Sequence, residues 1–409
     1  MTVRSPSLLR RAAEHYAEHG FWSLIQSGVR FLYRKPKERI ISRRRLSRRD
    51  LQLAGRAREA IWYADREDVI ELTLPDDDQL AAEFGRYQLT YEPDRPFICE
   101  LPDCHLLGPS GVGLTASGRW ISDTISHAQP ISGDLGPVET EFEQRVLRLR
   151  RKSAPTYDRR RVLPLISDHR SYYHWMVECL PKLRLLELYI ERTGHEPAIL
   201  IDDNPHSFVI QTLELAGYPS ERLDTWSGNE LHIDSLLVPI HRSHILDYDT
   251  PDQSNYQPSR ADLHWLRDRL RGNASVASGS GDKRIYVSRQ QVPAERGRKV
   301  LNYETLERVL DEFRFESYTV EELPFAEQVQ LFADADVIMG PHGAGLFNMI
   351  FSENPTIVEL FPEGMLRPYF YFIAEMMNFE YAGVVTDAVG EDIRVDVDQL
   401  RQRLDATGL

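Results

Sequence analysis

Val337-Ile338-Met339-Gly340-Pro341-His342-Gly343-Ala344-Gly345-Leu346-Phe347-Asn348-Met349-Ile350-Phe351 reads as a strand, a glycine turn and the opening of a helix. The apolar run Val337–Met339 has the length and composition of a short buried strand. Gly340-Pro341 is expected to break regular structure. His342 is the one titratable ring in a turn of small residues, and Leu346 to Phe351 reads as a buried helix. Free backbone N–H groups at such a helix start, aligned with its dipole, favour an anion over the turn. The competing reading is that the glycines only permit a tight strand-to-helix turn. Both stand on this segment alone.

The same alternation extends outward. Arg284–Val287, Phe315–Val320 and Thr356–Leu360 read as strands, and Asn302–Phe313, Pro324–Ala333 and Phe370–Met377 as helices. Before a Ser/Gly-rich stretch near 273–281, Val162–Ile166, Ala198–Ile201 and Ile233–Val238 read as strands, with helices at 174–186 (kinked at Pro181) and 208–216. Strands alternating with helical patterns predict parallel α/β units. Between Glu71 and Glu141, short runs such as Phe97–Leu101 and Cys104–Gly108, separated by Pro, Gly and Ser, predict a small β-rich subdomain. The expected organisation is a helical segment over 1–50, a β-rich plus α/β lobe over 70–272, and an α/β lobe over 282–395. The two Rossmann-like lobes should face a cleft, with ligands at the carboxyl ends of the strands.

Composition narrows the function. The 409 residues carry a net charge of −14, with 49 basic against 63 acidic residues, and only six of the basic ones are Lys. Abundant carboxylates with scarce Lys suit a protein working in concentrated salt, although a GC-rich genome also favours Arg. The charge is uneven: residues 30–49 carry +9 and the rest −23. An acidic body argues against nucleic acid as partner. Trp22, Ile25, Val29 and Leu32 fall on one helical face ahead of the basic run. That pattern suits a helix on an anionic membrane surface, or a helical cap packed on the body with a solvated basic tail. No apolar stretch approaches the roughly 18–20 residues of a membrane span, and no signal peptide is evident. Cys99, Cys104 and Cys179 form neither a disulfide framework nor a metal pattern. A cytoplasmic protein, peripheral at most on the inner membrane face, is expected.

Candidate chemistry collects at predicted strand ends. Ser288 and Arg289 follow one strand, and Arg296, Arg298 and Lys299 lie in the loop beyond it. Guanidinium forks match phosphate oxygens, so these residues, with His342 and Gly343-Ala344-Gly345, are the expected diphosphate ligands. Asp334-Ala335-Asp336 precedes its strand and is not expected to hold a metal. In the first lobe, Asp168, Tyr172, Tyr173, His174, Trp175 and Glu178 cluster after a strand. His174 and Glu178, at i and i+4, share a helix face. His174 is the preferred general base, with Asp168 or Glu178 as orienter or alternative. Tyr172, Tyr173 and Trp175 offer surfaces for stacking an acceptor sugar.

These segments together resemble glycosyltransferase family 61, which includes plant xylan arabinosyl- and xylosyltransferases and animal O-linked N-acetylglucosaminyltransferases. The residues carrying the resemblance are Tyr173-His174-Trp175 with Leu180-Pro181, Ile285–Arg289, Arg298–Asn302 with Glu304, Gln328, Gly340–Leu346, Asn348, Glu359 and Pro362. Two positions depart from the family pattern: Tyr303 separates Asn302 from Glu304, and Phe347 stands where Thr or Ser is usual. The resemblance implies a GT-B fold, inversion at the anomeric carbon, no essential metal or cofactor, and a nucleotide-sugar donor in the C-terminal lobe. It adds Asn302, Glu304, Asn348 and Glu359 to the expected donor site. The acceptor is expected to be a glycan, polysaccharide or lipid-linked saccharide. A pyruvyl transferase that decorates polysaccharide, or a non-catalytic glycan-binding scaffold, are the alternatives.

Overall fold

The computed structural model describes residues 45–124, 156–167, 171–240, 259–276, 281–293 and 297–408. The amphipathic pattern and most of the basic run, together with Asp168 and Arg296, lie outside the described residues. The end of the basic run belongs to the folded body. Arg45–Leu46 pairs in parallel with Trp120–Ile121. The helix Arg48–Ala57 opens with a capping box between Ser47 and Asp50, and Arg48 pairs with Asp123 at 3.1 Å.

Two large sheets organise the chain. In the first, Leu223–Trp226, Ala198–Asp202, Thr156–Pro164 and Leu231–Ile240 run side by side and parallel. Phe97–Leu107 then joins Leu231–Ile240 antiparallel and leads on to Val112–Thr115, Trp120–Ile121 and Arg45–Leu46. The expected β-rich subdomain is therefore not separate; it continues the α/β sheet. The predicted break at Pro102-Asp103 is bridged because Leu231–Ile240 supplies paired positions on both sides of it. Asp103 absorbs the irregularity with φ 54°.

The second sheet has the order Phe315–Tyr318, Lys283–Val287, Ala335–Pro341, Thr356–Pro362, Glu380–Val389, Asp392–Arg394. The first five strands are parallel and the last is antiparallel. Parallel strands are covered on both faces, so they read as unbroken apolar runs. Ile285, Tyr286, Val287 and Val337–Met339 are accordingly all buried. Sequence neighbours diverge between Lys283–Val287 and Ala335–Pro341, where the chain first goes to one side of the sheet and then to the other. That divergence makes a topological switch point, and the crevice at its carboxyl end is where doubly wound sheets take ligands.

The opening stretch differs from its reading in two respects. The strand continues through Gly340-Pro341, paired to Glu359 and Leu360. Pro341 is its last residue, and the ladder resumes with the His342 N–H on the Leu360 carbonyl at 2.9 Å. The following segment, Ala344–Phe351, is a 3₁₀ helix. Leu346 to Phe351 are all buried there, so packing on every side sets this conformation against the α-helix that composition favours.

One apolar cluster runs through both halves. It joins Leu163, Trp175 and Leu237 to Ile285, Phe332, Phe347 and Phe370. Residues 70–91, grouped by sequence with the first lobe, pack on the second sheet. Ile70–Glu71 and Thr90–Tyr91 form a separate two-stranded sheet, and Asp77 caps the helix Asp78–Phe84 between them. Phe84 meets the rings of Phe361, Tyr371 and Phe372. Leu80 fills the hollow over Gly383, where a Cβ would stand 2.3 Å from its Cδ1. Asp77 pairs with Arg403 at 2.9 Å. Among the described residues, no helix is long and apolar enough to cross a membrane.

Leu80 is fully buried, so Leu80→Ala is expected to lower unfolding stability by about 2–5 kcal/mol, read as a shift of the urea transition.

Candidate functional site

The switch-point crevice is built by close approach. Strand Lys283–Val287 ends in Ser288, whose N–H is held by the Tyr318 carbonyl at 2.9 Å, and in Arg289. The Arg289 guanidinium donates through Nε and Nη2 to the Gly297 carbonyl at 3.3 and 3.1 Å. It lies directly against Gly343, where a Cβ would stand 2.5 Å from Nη1. Gly343 has φ 178°, an extended backbone open to any residue, so the glycine is required for space. A Cβ at Gly340 would stand 2.9 Å from the Val287 carbonyl oxygen, and one at Gly345 would stand 3.0 and 3.1 Å from the side chains of Val287 and Val320. The glycine turn is thus a bed on which Arg289 and the neighbouring strand end lie.

The loop beyond Arg289 is strained. Gly297 has φ 53° and Arg298 φ 63°, and a non-glycine residue held there costs about 1–3 kcal/mol. A Cβ at Gly297 would meet the Glu391 carbonyl at 2.3 Å. Arg298 Nη1 reaches Met365 Sδ at 3.7 Å, while its Nε is buried with no hydrogen-bond partner among the described residues. Burial lowers the Arg298 pKa from its ordinary value, against the pull of Glu391 and Glu359. The Lys299 N–H bonds Asp392. Asn302 exchanges two hydrogen bonds with Val395, at 2.8 and 3.0 Å, so its amide pins the sheet edge. Glu304 is exposed in the first turn of the next helix.

His342 is buried beside the turn. The Tyr381 hydroxyl donates to Glu359 Oε2 at 2.5 Å, and His342 Nδ1 makes a short hydrogen bond to Oε1 of the same carboxyl. Glu359 is fully buried, and its grip on Nδ1 fixes the ring and its tautomer. Burial pushes the Tyr381 pKa well up.

From the first half, the segment beginning at Tyr172 carries a π turn over Trp175–Cys179. Such turns concentrate at functional sites. His174 Nδ1 meets Glu178 Oε1 at 2.8 Å. The Tyr172 hydroxyl donates to Asn348 Oδ1; Asn348 Nδ2 donates to Gln328 at 2.9 Å, and Gln328 to the Leu323 carbonyl at 3.0 Å. Asn348 is fully buried, so its side chain ties the two halves together and offers no surface to a donor. Trp175 is also core, with Nε1 on Thr212 at 2.8 Å; its expected stacking role fails because both ring faces are buried. Tyr173 sits among His174, Phe347, Tyr369 and Phe370. His342 shares Tyr369 and Phe370 with it.

A cavity of about 220 Å³ opens over the switch point. Arg289, Val292, Val320, Glu321, Ala344 and Gly345 line it from the second half of the chain, and Ser171, Tyr172, His206, Ser207, Phe208 and Gln211 from the first. It brings together Tyr172, Arg289 and part of the glycine turn among the expected residues. His174, Glu178, His342 and Glu359 are not among its lining residues; they gather around Tyr173, Tyr369 and Phe370. Sequence reading missed His206, Phe208 and Gln211. The strand-end rule that found Arg289 applies equally to the segment after Ala198–Asp202 and points to them. Tyr381 carried no comparable signal, since its role depends on the pairing of Glu380–Val389 with Thr356–Pro362.

An arginine thus stands at the switch point of the second sheet, beside a cavity lined by residues from both halves of the chain. Residues 172–358 match the family described as Glycosyltransferase 61. The match implies a glycosyltransferase, with a sugar donor and an acceptor as general substrates. Nothing among curated proteins matches the chain. The matched stretch runs from Tyr172 to the strand residue next to Glu359, and so includes cavity-lining residues from both halves of the chain.

Burial raises the pKa values of Tyr172, Tyr286 and Tyr381. The folded chain holds these protons more tightly than the unfolded chain, so stability is retained below the ordinary tyrosine pKa of about 10 and falls as pH rises above it. Urea midpoints are expected to be level in this respect at pH 8–9 and to drop by pH 11; Tyr172→Phe should lessen the drop.

Proposed function

We propose that the chain is an inverting glycosyltransferase of GT-B arrangement that binds a nucleotide-sugar donor at the switch-point crevice of the second sheet. The observation that carries this reading is the Arg289 guanidinium lying on the side-chain-free bed of Gly343 beside the cavity. A planar cation at a strand end, with backbone packed beneath it, suits a diphosphate. Arg298, partly buried with an Nε unpartnered among the described residues, is the second cation of the site. The His342–Glu359–Tyr381 chain holds the turn in shape from behind. On this reading the acceptor lobe is 70–272, joined by Arg45–Leu46 and Ile61–Tyr63, and the donor lobe is 282–395, with residues 70–91 packed on the second sheet.

The reaction follows from these placements. The acceptor is a hydroxyl of a glycan, polysaccharide or lipid-linked saccharide. His174, held at Nδ1 by Glu178, takes the acceptor proton at Nε2. The acceptor oxygen bonds to the anomeric carbon from the face opposite the diphosphate. The bond from that carbon to the diphosphate oxygen breaks, and its electron pair leaves with the diphosphate. Arg289 and Arg298 stabilise the developing charge.

Arg289→Lys removes the fork but keeps the charge, and Arg289→Ala removes both. Losing a charge-assisted contact of about 1.5–3 kcal/mol is expected to weaken nucleotide-sugar binding roughly ten- to a hundredfold. Gly343→Ala should do the same by displacing the guanidinium, with far-UV circular dichroism unchanged. Thermal shifts across a panel of nucleotide sugars at low and high salt measure these effects. Nuclear magnetic resonance of the product reads the anomeric configuration. Retention at the anomeric carbon, or turnover with phosphoenolpyruvate alone, would sink the reading.

A further inference from the structure

We infer that His206, backed by the parallel ring of Phe208, forms a platform for a sugar ring of the acceptor, beyond the unit whose hydroxyl His174 deprotonates; the assignment of the ring to the acceptor rests on the donor site proposed above. The rings stand 5.3 Å apart and nearly parallel, at 13°. Tyr172 closes one side, edge-on to Phe208 at 5.5 Å. His206 is exposed and Phe208 half-buried, and both line the cavity that Arg289 lines. A pyranose has an apolar C–H face and a rim of hydroxyls. It therefore needs a flat apolar surface beneath it and hydrogen-bonding groups at its edge.

Gln211 supplies such a group. The Phe325 N–H donates to its Oε1 at 2.7 Å, which fixes the amide orientation and makes Nε2 a donor. Ser207 lines the same cavity. The lining residues Val292, Val320 and Glu321 come, like Arg289, from the second half of the chain, and those of the platform from the first. The diphosphate is thereby assigned to the second half's lining and the neutral, hydroxyl-rich ring to the first's.

The test uses the full chain, with uridine 5′-diphosphate as donor-site probe and a panel of methyl pyranosides as platform probes. Saturation-transfer resonance and thermal shift are read with each probe alone and with both. For the wild type, the C–H protons of a pyranoside are expected to take up saturation. In Phe208→Ala and His206→Ala, pyranoside affinity should fall roughly tenfold or more, while the thermal shift with uridine diphosphate stays unchanged. Gln211→Glu keeps an acceptor for Phe325 N–H and removes only the Nε2 donor; it should weaken the pyranoside and leave the fold intact. Pyranoside binding that survives Phe208→Ala would overturn the platform, as would a wild type that binds uridine diphosphate and no pyranoside. Uridine binding that depends on Phe208 would overturn it in favour of a nucleobase. Pyranoside binding sensitive to Phe208 without any response to nucleotides would support the platform and count against the donor site instead.

Discussion

Three missing side chains hold the centre of this molecule together. Gly340, Gly343 and Gly345 leave no Cβ between the turn and the strand end beside it, and at each of them a methyl group would come within 3.1 Å of that neighbouring strand or loop. Their φ values lie outside the left-handed region, so the requirement is for proximity. The strand end at Val287 can then pack directly on the turn, Arg289 can lie flat, and the crevice between two parallel strands can carry a cation without a gap beneath it. Preorganisation of this kind is what a site that stabilises developing charge demands, since the donors must be in place before the reaction begins.

The second sheet was legible because both its faces are buried. Apolar runs such as Ile285–Val287 and Val337–Met339 have no polar alternation to confuse them with loop or helix. Strand ends could therefore be located, and the residues just beyond them, Arg289 and Gly343, fell out as candidates. The first sheet was harder. Phe97–Leu107 contains Pro102-Asp103, which locally reads as a break, and only pairing with Leu231–Ile240, more than a hundred residues away, keeps it one strand. Trp175 and Asn348 were misjudged for a related reason. Aromatic and amide side chains serve a core or a binding surface equally well, and only their burial decides between the two. Ala344–Phe351 carries an apolar helical composition, and its 3₁₀ winding comes from neighbours on all sides.

The two halves are joined more firmly than two separate lobes would be. An apolar cluster passes from Trp175 to Phe347 and Phe370. Tyr172, Asn348 and Gln328 form a hydrogen-bonded chain through the junction. Buried polar groups linked in this way tolerate little change in distance, because each depends on the next for satisfaction. Gln211 adds a further tie, since its amide oxygen receives the Phe325 N–H across the cavity mouth. The walls of the cavity are thus held in register by the same residues that line it.

The strap formed by residues 70–91 has a consequence for the order in which the chain can assemble. Leu80 and Phe84 are made early in synthesis, yet their partners Phe361, Tyr371 and Gly383 follow almost three hundred residues later. Contacts so distant in sequence carry a large loop-closure cost and form late. Until then the apolar face of Asp78–Phe84 has nowhere to dock, and the nascent first half must carry it exposed, a liability that favours aggregation. Docking of the strap is therefore the step that reports completion: it can occur only when the second sheet exists, and it encloses the N-terminal half and the C-terminal half in one topologically closed unit.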